Sequence, residues 1–201
     1  MKFQDYRTLF IAASLAFALL AAYPALSIVA TFPKSGEKFS ELWLLDSNHL
    51  AENYPFNVRI GEQYSVYLGL GNHMGDSMYY AIYVKFRNQT QSAPNSFNRT
   101  SSSLPSLFNI TAFVADEGVW ELPLIFSFDY DYNENLSKVE FQKMTLNDVD
   151  LDISSCTITW NSKTNSFLGN LFFELWIYNA TTSSFRYHER SVGLRLNMTS
   201  S

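Results

Sequence analysis

An acidic stretch near the middle of the chain has the residue types and spacing of a calcium-binding loop. In DYDYNENLSKVE, oxygen-bearing side chains stand at positions 1, 3, 5 and 12, where an EF-hand loop places ligands. These four candidate calcium ligands are Asp129, Asp131, Asn133 and Glu140. Position 6 is Glu134 instead of the glycine that an EF-hand requires, and the flanking residues alternate like strands. A solvated acidic turn is therefore the stronger expectation, with a looser calcium site as the alternative.

The other residues capable of chemistry show no catalytic or metal-binding pattern. The histidines are scattered, without a spacing such as H-x-x-x-H: His49, His73 and His188. The only cysteine, Cys156, lies in the strand-like SSCTITW, which favours a buried small hydrophobic residue over a nucleophile. Three glutamates could form an acid/base group only if gathered in a cleft: Glu37, Glu41 and Glu52. We predict that the chain is not an enzyme and requires no metal or cofactor.

Composition indicates an ordered domain and excludes nucleic acid as an expected partner. The 201 residues are 47% hydrophobic and 16% aromatic, which suffices for one domain with a substantial core and an appendage. The net charge of -5 comes from 19 acidic and 14 basic residues, with no long basic run to neutralise a phosphate backbone.

An uncharged apolar run from Thr8 to Phe32 predicts a membrane anchor. As a helix of about 25 residues it would be roughly 37 Å long, enough to cross the hydrocarbon core with some tilt. Lys2 and Arg7 precede it, so the positive-inside rule keeps the N-terminus cytoplasmic. We predict a single-pass cell-membrane protein with a cytoplasmic segment at 1–7, a transmembrane helix at 8–32 and an extracytoplasmic domain at 33–201. A signal peptide cleaved at the ALS sequence of residues 25–27 is the alternative, although the apolar run continues past it.

Asn-x-Ser/Thr sequons are about twice as frequent as the composition predicts. They lie at Asn88, Asn98, Asn109, Asn135, Asn179 and Asn197. None precedes the apolar run, which agrees with a domain outside the membrane. We therefore predict N-linked glycans on that domain.

After the apolar run the dominant hydrophobic period is two, which indicates β-strands. In SMYYAIYVKFRN the predicted core face is Tyr80, Ile82, Val84 and Phe86, and the predicted solvent face is Tyr79, Tyr83, Lys85 and Arg87. Alternating core positions recur in the stretches 120–128, 171–177 and 192–198. Eight or nine such strands predict an all-β fold, an immunoglobulin-like antiparallel β-sandwich preceded by one N-terminal transmembrane helix.

Two connections have composition typical of exposed turns. The sequence from Asn72 to Asp76, NHMGD, predicts a hairpin. The polar stretch from Arg87 to Ser106 contains two sequons and predicts a mobile, glycosylated loop.

Three consecutive motifs carry a resemblance to a known family. FPKSGEKFSELWLL, AENYPFNVRIGE and LGLGNH together resemble the archaeal membrane-protein family known as domain of unknown function 1616, over Pro33 to His73. NLFFELWIYNATTSSFRYHERSVGLRLNM looks like the closing strands of that family. The sequence departs from the family pattern in lacking a Gly-Pro turn at Asp46-Ser47, in its long loop and in having one apolar span where several relatives have more. The resemblance implies a β-sandwich outside the membrane and provides no catalytic residues.

The expected function is that of a non-enzymatic, membrane-anchored, glycosylated archaeal surface protein in envelope structure or protein–protein interaction. Its expected partners are the membrane, through one helix, other envelope or membrane proteins, and N-linked glycans. The alternative is an accessory subunit or enzyme of envelope or glycan assembly, with an acidic site that binds sugar or calcium.

Overall fold

The computed structural model describes residues 6–7, 10–18, 20, 37–133 and 135–200. The chain divides into two compact units, Met1–Glu37 and Lys38–Ser201. In the first unit, residues 6–7, 10–18 and 20 are α-helical. Among the described residues, no helix has both the length and the apolar character that a membrane span needs. More than half of the predicted span at 8–32 lies outside the described residues, so the anchor stays a prediction.

The second unit is built from β-strands, as the period-two pattern predicts. Their bounds are β1 Phe39–Leu45, β2 Asn57–Arg59, β3 Tyr64–His73, β4 Met78–Arg87, β5 Phe108–Val114, β6 Val119–Asn133, β7 Lys138–Leu146, β8 Val149–Asp152, β9 Thr157–Thr159, β10 Leu168–Asn179 and β11 Ser184–Thr199.

These strands form two sheets. Sheet A has the order β1-β3-β6-β7-β8, with β9 also paired to β7, and sheet B has the order β2-β11-β10-β4-β5. The order β1-β3-β6 in one sheet and β5-β4-β10-β11 in the other matches A-B-E and C′-C-F-G of immunoglobulin-type sandwiches. One pair departs from the predicted antiparallel arrangement, because β2 runs parallel to β11. β2 follows a connection from sheet A, so no hairpin fixes its direction.

The core lies between the sheets, and the predicted inward faces are confirmed. The alternating positions of β4 and β10 are buried: Tyr80, Ile82, Val84 and Phe86, then Leu171, Phe173, Leu175 and Ile177. Phe126 and Phe128 of β6 are buried in the same core. Alternation predicts these faces because successive strand side chains point to opposite sides of a sheet.

The predicted hairpin from Asn72 to Asp76 is wrong, because the strands on either side belong to different sheets. β3 ends in sheet A and β4 begins in sheet B, so this segment crosses the sandwich. The buried Asn72 side chain holds the crossing by donating from Nδ2 to the carbonyl oxygens of Asp76, Val114 and Ala115 at 2.9, 2.9 and 3.0 Å. A side-chain amide thus supplies the hydrogen bonds that a hairpin ladder would have made.

Candidate functional site

The predicted calcium ligands lie on the β6–β7 hairpin, where each binds a different protein donor. These donors are Gln142 Nε2 for Asp131, Lys138 Nζ for Glu140, the Leu136 amide for Asn133, and Lys143 Nζ, at 3.7 Å, for Asp129. Because a calcium site needs several oxygens converging on one point, this arrangement does not form one. Within the described part of the chain, no three His, Cys, Asp or Glu side chains are grouped to hold a metal ion.

Calcium is therefore expected to leave the stability of the protein unchanged. The melting temperature of the full chain should be the same in millimolar calcium and in excess chelator, because the described side chains of the hairpin form no group that would bind the ion preferentially in the folded state. The matched control carries Asp129→Asn and Asp131→Asn. A calcium-dependent rise in melting temperature that this double variant abolishes would contradict the expectation.

A second candidate is a hydrogen-bonded serine–histidine pair that links β1 to β11. His188 Nε2 lies 3.0 Å from Ser40 Oγ, which lies 2.7 Å from Tyr80 Oη, and Tyr80 donates to Asn72 Oδ1 at 2.9 Å. Tyr80 has one hydroxyl proton, so Ser40 must donate to Tyr80 and His188 must donate to Ser40. A serine nucleophile would instead donate to a histidine base. The network therefore connects strands of both sheets and does not activate Ser40.

The surroundings of His188 predict a pH dependence of stability. Burial, together with the positive charges of Arg186 and Arg190, lowers the pKa of His188 below its usual 6.5. The folded protein then binds fewer protons at this site than the unfolded chain, so stability is lost as the pH falls below about 6.5. His73 has the opposite shift, because its hydrogen bond to Glu117 raises its pKa.

The contribution of His188 is measured as the difference between the wild type and His188→Gln. Glutamine keeps a nitrogen that can donate to Ser40 but does not titrate. Chemical unfolding between about pH 5 and pH 7.5 should give a smaller loss of stability at low pH for the variant than for the wild type. Parallel pH profiles of stability for the two proteins would contradict the lowered pKa of His188.

Lys85, predicted to face solvent, is instead buried, and it forms an ion pair on the outer face of sheet B. Its Nζ lies 2.8 Å from Glu174 Oε2 of β10, and the two side chains are 4% and 0% exposed. Ser102, from the loop after β4, covers them: its amide donates to Glu174 Oε1 at 2.6 Å and its carbonyl accepts from Lys85 Nζ at 2.9 Å. The second half of this loop, which the sequence predicts to be mobile, is held at Ser102, since its backbone supplies the polar groups that a buried ion pair requires.

Beyond this loop, four aromatic side chains form a row across the outer face of sheet B, one from each of four neighbouring strands. We call Phe113, Tyr79, Tyr178 and Phe185 the aromatic row. The strand register pairs Tyr79 with Phe113 and Tyr178 with Phe185, and the ring centroids of Tyr79 and Tyr178 are 6.1 Å apart. With strands about 4.8 Å apart, the row is roughly 14 Å long. Phe113 is 71% exposed, Tyr79 39% and Tyr178 37%.

More aromatic rings adjoin the aromatic row on the same face. Tyr83 stacks on Trp176 with ring centroids 4.7 Å apart, and Trp176 lies 5.8 Å from Tyr187. The ion pair and the covering loop occupy the other end of this face. The result is an aromatic surface whose exposed part is formed by Phe113, Tyr79 and Tyr178 of the row.

Alternation in the sequence predicts that Tyr79 faces solvent but does not identify the aromatic row. The available signal was that Phe113 and Tyr178 are exposed next to buried positions, as Tyr79 is, whereas Phe185 is half-buried between exposed neighbours and gives no such signal. Their alignment depends on inter-strand registers, including an irregularity between Leu175 and Trp176. One-dimensional alternation does not specify these registers.

The structure distinguishes two groups among the predicted glycosylation sites. The side-chain nitrogens of two sequon asparagines are engaged, Asn88 Nδ2 with the Thr157 carbonyl and Asn197 Nδ2 with Asn57 Oδ1, both at 2.9 Å. In the described residues, Nδ2 makes no hydrogen bond in the remaining four: Asn98, Asn109, Asn135 and Asn179. Asn98, Asn109 and Asn135 are also exposed.

The remaining chemical candidates are not gathered into a site. Glu37 belongs to the first unit, and Glu52 is exposed in the connection between β1 and β2. The third glutamate, Glu41, has its Oε2 atom 3.6 Å from His73 Nε2. Cys156 is confirmed as a buried residue, and burial raises the pKa of its thiol to about 11. Because the thiolate is the reactive form, this cysteine is inert at neutral pH.

The sequence matches the model of a family described as domain of unknown function (DUF1616) over residues 33–141, just over half of the chain. The chain belongs to this family. The match confirms the resemblance of the opening motifs, and the closing strands of this DUF1616 protein lie beyond it. No curated protein matches the sequence.

Several solved structures show distant similarity to the DUF1616 chain. The CARDB domain of a Pyrococcus furiosus protein is 8% identical, with 84% of this chain and 98% of that chain covered and a TM-score of 0.37. A PapD-like domain of human CEP192 is 9% identical, with 85% and 92% covered and a TM-score of 0.31. A β-glucosidase from Listeria innocua is 12% identical, with 82% of this chain but 17% of the enzyme covered and a TM-score of 0.36. None of these values indicates what the DUF1616 chain binds or does.

Proposed function

We propose that this DUF1616 protein is a non-enzymatic surface protein that binds another protein through the outer face of sheet B. The observation that carries this proposal is the exposed aromatic row. Aromatic side chains are enriched at protein interfaces, where they provide large buried areas at low conformational cost. The row spans four strands and is exposed on three of them, so it is an apolar surface that contact with a partner would remove from water.

The ring geometry favours a protein partner over a sugar. Tyr79 and Tyr178 are inclined at 61°, Tyr79 and Phe185 at 52°, and Tyr178 and Phe185 at 68°. Rings inclined in this way pack edge to face and present an uneven surface, whereas a flat stacking surface for a sugar needs rings in a common plane. The direction of the hydrogen bond from His188 to Ser40, which does not activate the serine, also supports binding over catalysis.

The proposed location is the outer side of an archaeal cell membrane. The apolar run at 8–32 and the preceding Lys2 and Arg7 support an anchored, single-pass arrangement. The sequons with an available Nδ2 support N-linked glycans on the exposed domain, as does the absence of sequons before the run. Sequencing the mature N-terminus distinguishes the anchor from a cleaved signal peptide, because cleavage within residues 25–27 would remove the span.

The partner is tested by affinity purification of the tagged full chain from native membranes. The test variant carries Tyr79→Ser and Tyr178→Ser, and the control carries Ile125→Ser, which removes a 46% exposed apolar side chain from the outer face of sheet A. We expect at least one co-purifying chain to fall by about tenfold or more with the test variant and to persist with the control. The same co-purifying chains in equal amounts from all three proteins would overturn the proposal.

A further inference from the structure

Strand β5 forms an open edge of sheet B. It is paired with β4 and, among the residues that the structure describes, with no other strand. Backbone N–H and C=O groups alternate between the two sides of a strand, so half of those in β5 face away from β4. At the two ends of β5, the carbonyl oxygens of Phe108 and Val114 accept from Ser106 Oγ and Asn72 Nδ2. Between them, the backbone groups that face away from β4 are a template for another strand.

Unlike the other edges, β5 lacks the features by which sheet edges resist pairing. Its sequence, FNITAFV, contains no charge, proline or glycine. The other edge strands are charged or very short: β1 contains Glu41, β2 has three residues with Arg59, β8 has four with Asp150 and Asp152, and β9 has three. Charged side chains and short length both discourage edge pairing. In β5, the sequon at Asn109 takes the place of charge and short length as the feature that protects the edge.

The chemistry of the edge fits a second copy of the same strand. Antiparallel pairing centred on Thr111 aligns all seven residues of two β5 strands and opposes no charges. Thr111 then lies opposite Thr111, and the exposed Phe113 lies opposite Asn109 of the second copy. Opposed side chains in such a pair have Cβ atoms about 5 Å apart, so a glycan on Asn109 would occupy the place of Phe113.

We propose that β5 pairs with β5 of a second copy of this chain and that a glycan on Asn109 closes this edge. The second half rests on the glycosylation included in the proposed function. The position of Asn109 in the structure supports it: the residue is exposed, its Oδ1 accepts from Ser106 Oγ at 2.6 Å, and Thr111 of the same sequon is also exposed.

The pairing half is tested with full-length chain made without N-glycosylation and kept in mild detergent. Two variants remove the sequon equally: Thr111→Val keeps a neutral β-branched side chain, and Thr111→Lys places two positive charges opposite each other. Protein mass from light scattering should be twofold higher for the unglycosylated wild type and Thr111→Val than for Thr111→Lys. Equal masses for the two variants, with matching melting curves, would overturn the pairing.

The glycan half is tested with full-length chain from a glycosylating archaeal host. Asn109→Gln should double the protein mass relative to the glycosylated wild type, whereas Asn98→Gln should not. Glycopeptide mass spectrometry that finds Asn109 unmodified would overturn this half and leave the pairing result intact. Complete absence of glycans would also contradict the glycosylation in the proposed function, while the unglycosylated samples still decide the pairing.

Discussion

Replacing Phe126 with aspartate is expected to destabilise the protein by several kcal/mol and to unfold it at physiological temperature. Phe126 is fully buried on β6, where its ring packs against Phe128 and Tyr64, both with centroids 5.9 Å away. Losing a buried ring costs about 3–5 kcal/mol, and a carboxylate without a partner in the core adds to that cost. Many small domains have a total stability of only about 5–15 kcal/mol.

Ser127→Asp is the matched control for Phe126→Asp. Ser127 follows Phe126 on the same strand, is half-exposed and faces the outer side of sheet A. Urea unfolding should therefore give nearly wild-type stability for this variant. Equal tolerance of aspartate at the two positions would contradict the direction in which β6 buries its side chains.

Replacing Glu174 with glutamine is expected to cost about 3–5 kcal/mol, because it leaves the Lys85 ammonium buried without a countercharge. The glutamine is nearly the same size as the glutamate, so packing is conserved and the electrostatic loss is isolated. The Ser102 carbonyl, 2.9 Å from Lys85 Nζ, remains as a neutral acceptor and cannot balance the charge.

The double variant Lys85→Met with Glu174→Gln tests this cause. Removing both charges should recover much of the stability lost in Glu174→Gln, since a buried ion pair gains little over apolar packing. Glu140→Gln, which breaks a more exposed pair with Lys138, should have little effect. If Glu174→Gln has no more effect than Glu140→Gln, the proposed role of the buried pair is wrong.

The inward faces of the strands could be predicted from sequence because alternation is a local property of the backbone. Tyr80 to Phe86 on β4 and Leu171 to Ile177 on β10 are buried at the predicted alternate positions. Lys85 could not be predicted as buried, because its partners Glu174 and Ser102 lie far along the chain. Asn72 likewise lies in a segment with the composition of a turn, and only the tertiary fold shows that its side chain holds a crossing between sheets.

The aromatic row shows the same limit at the candidate site. Residue types and alternation place Tyr79 on an outer face, but its alignment with Tyr178 and Phe113 depends on which strands are neighbours and in which register. These are long-range properties, set by connections such as the Asn72 crossing and by the irregularity in the β10–β11 pair. A binding surface assembled from four strands therefore has no compact sequence motif.

The central claim, that the outer face of sheet B binds another protein, is tested most directly by cross-linking in intact cells. A photoreactive phenylalanine analogue is incorporated at Tyr178, in the middle of the aromatic row, and for comparison at Ile125 on the outer face of sheet A. The proposed function predicts a discrete adduct with one partner chain from Tyr178 and none from Ile125. No adduct from Tyr178, or the same adducts from both positions, would contradict it.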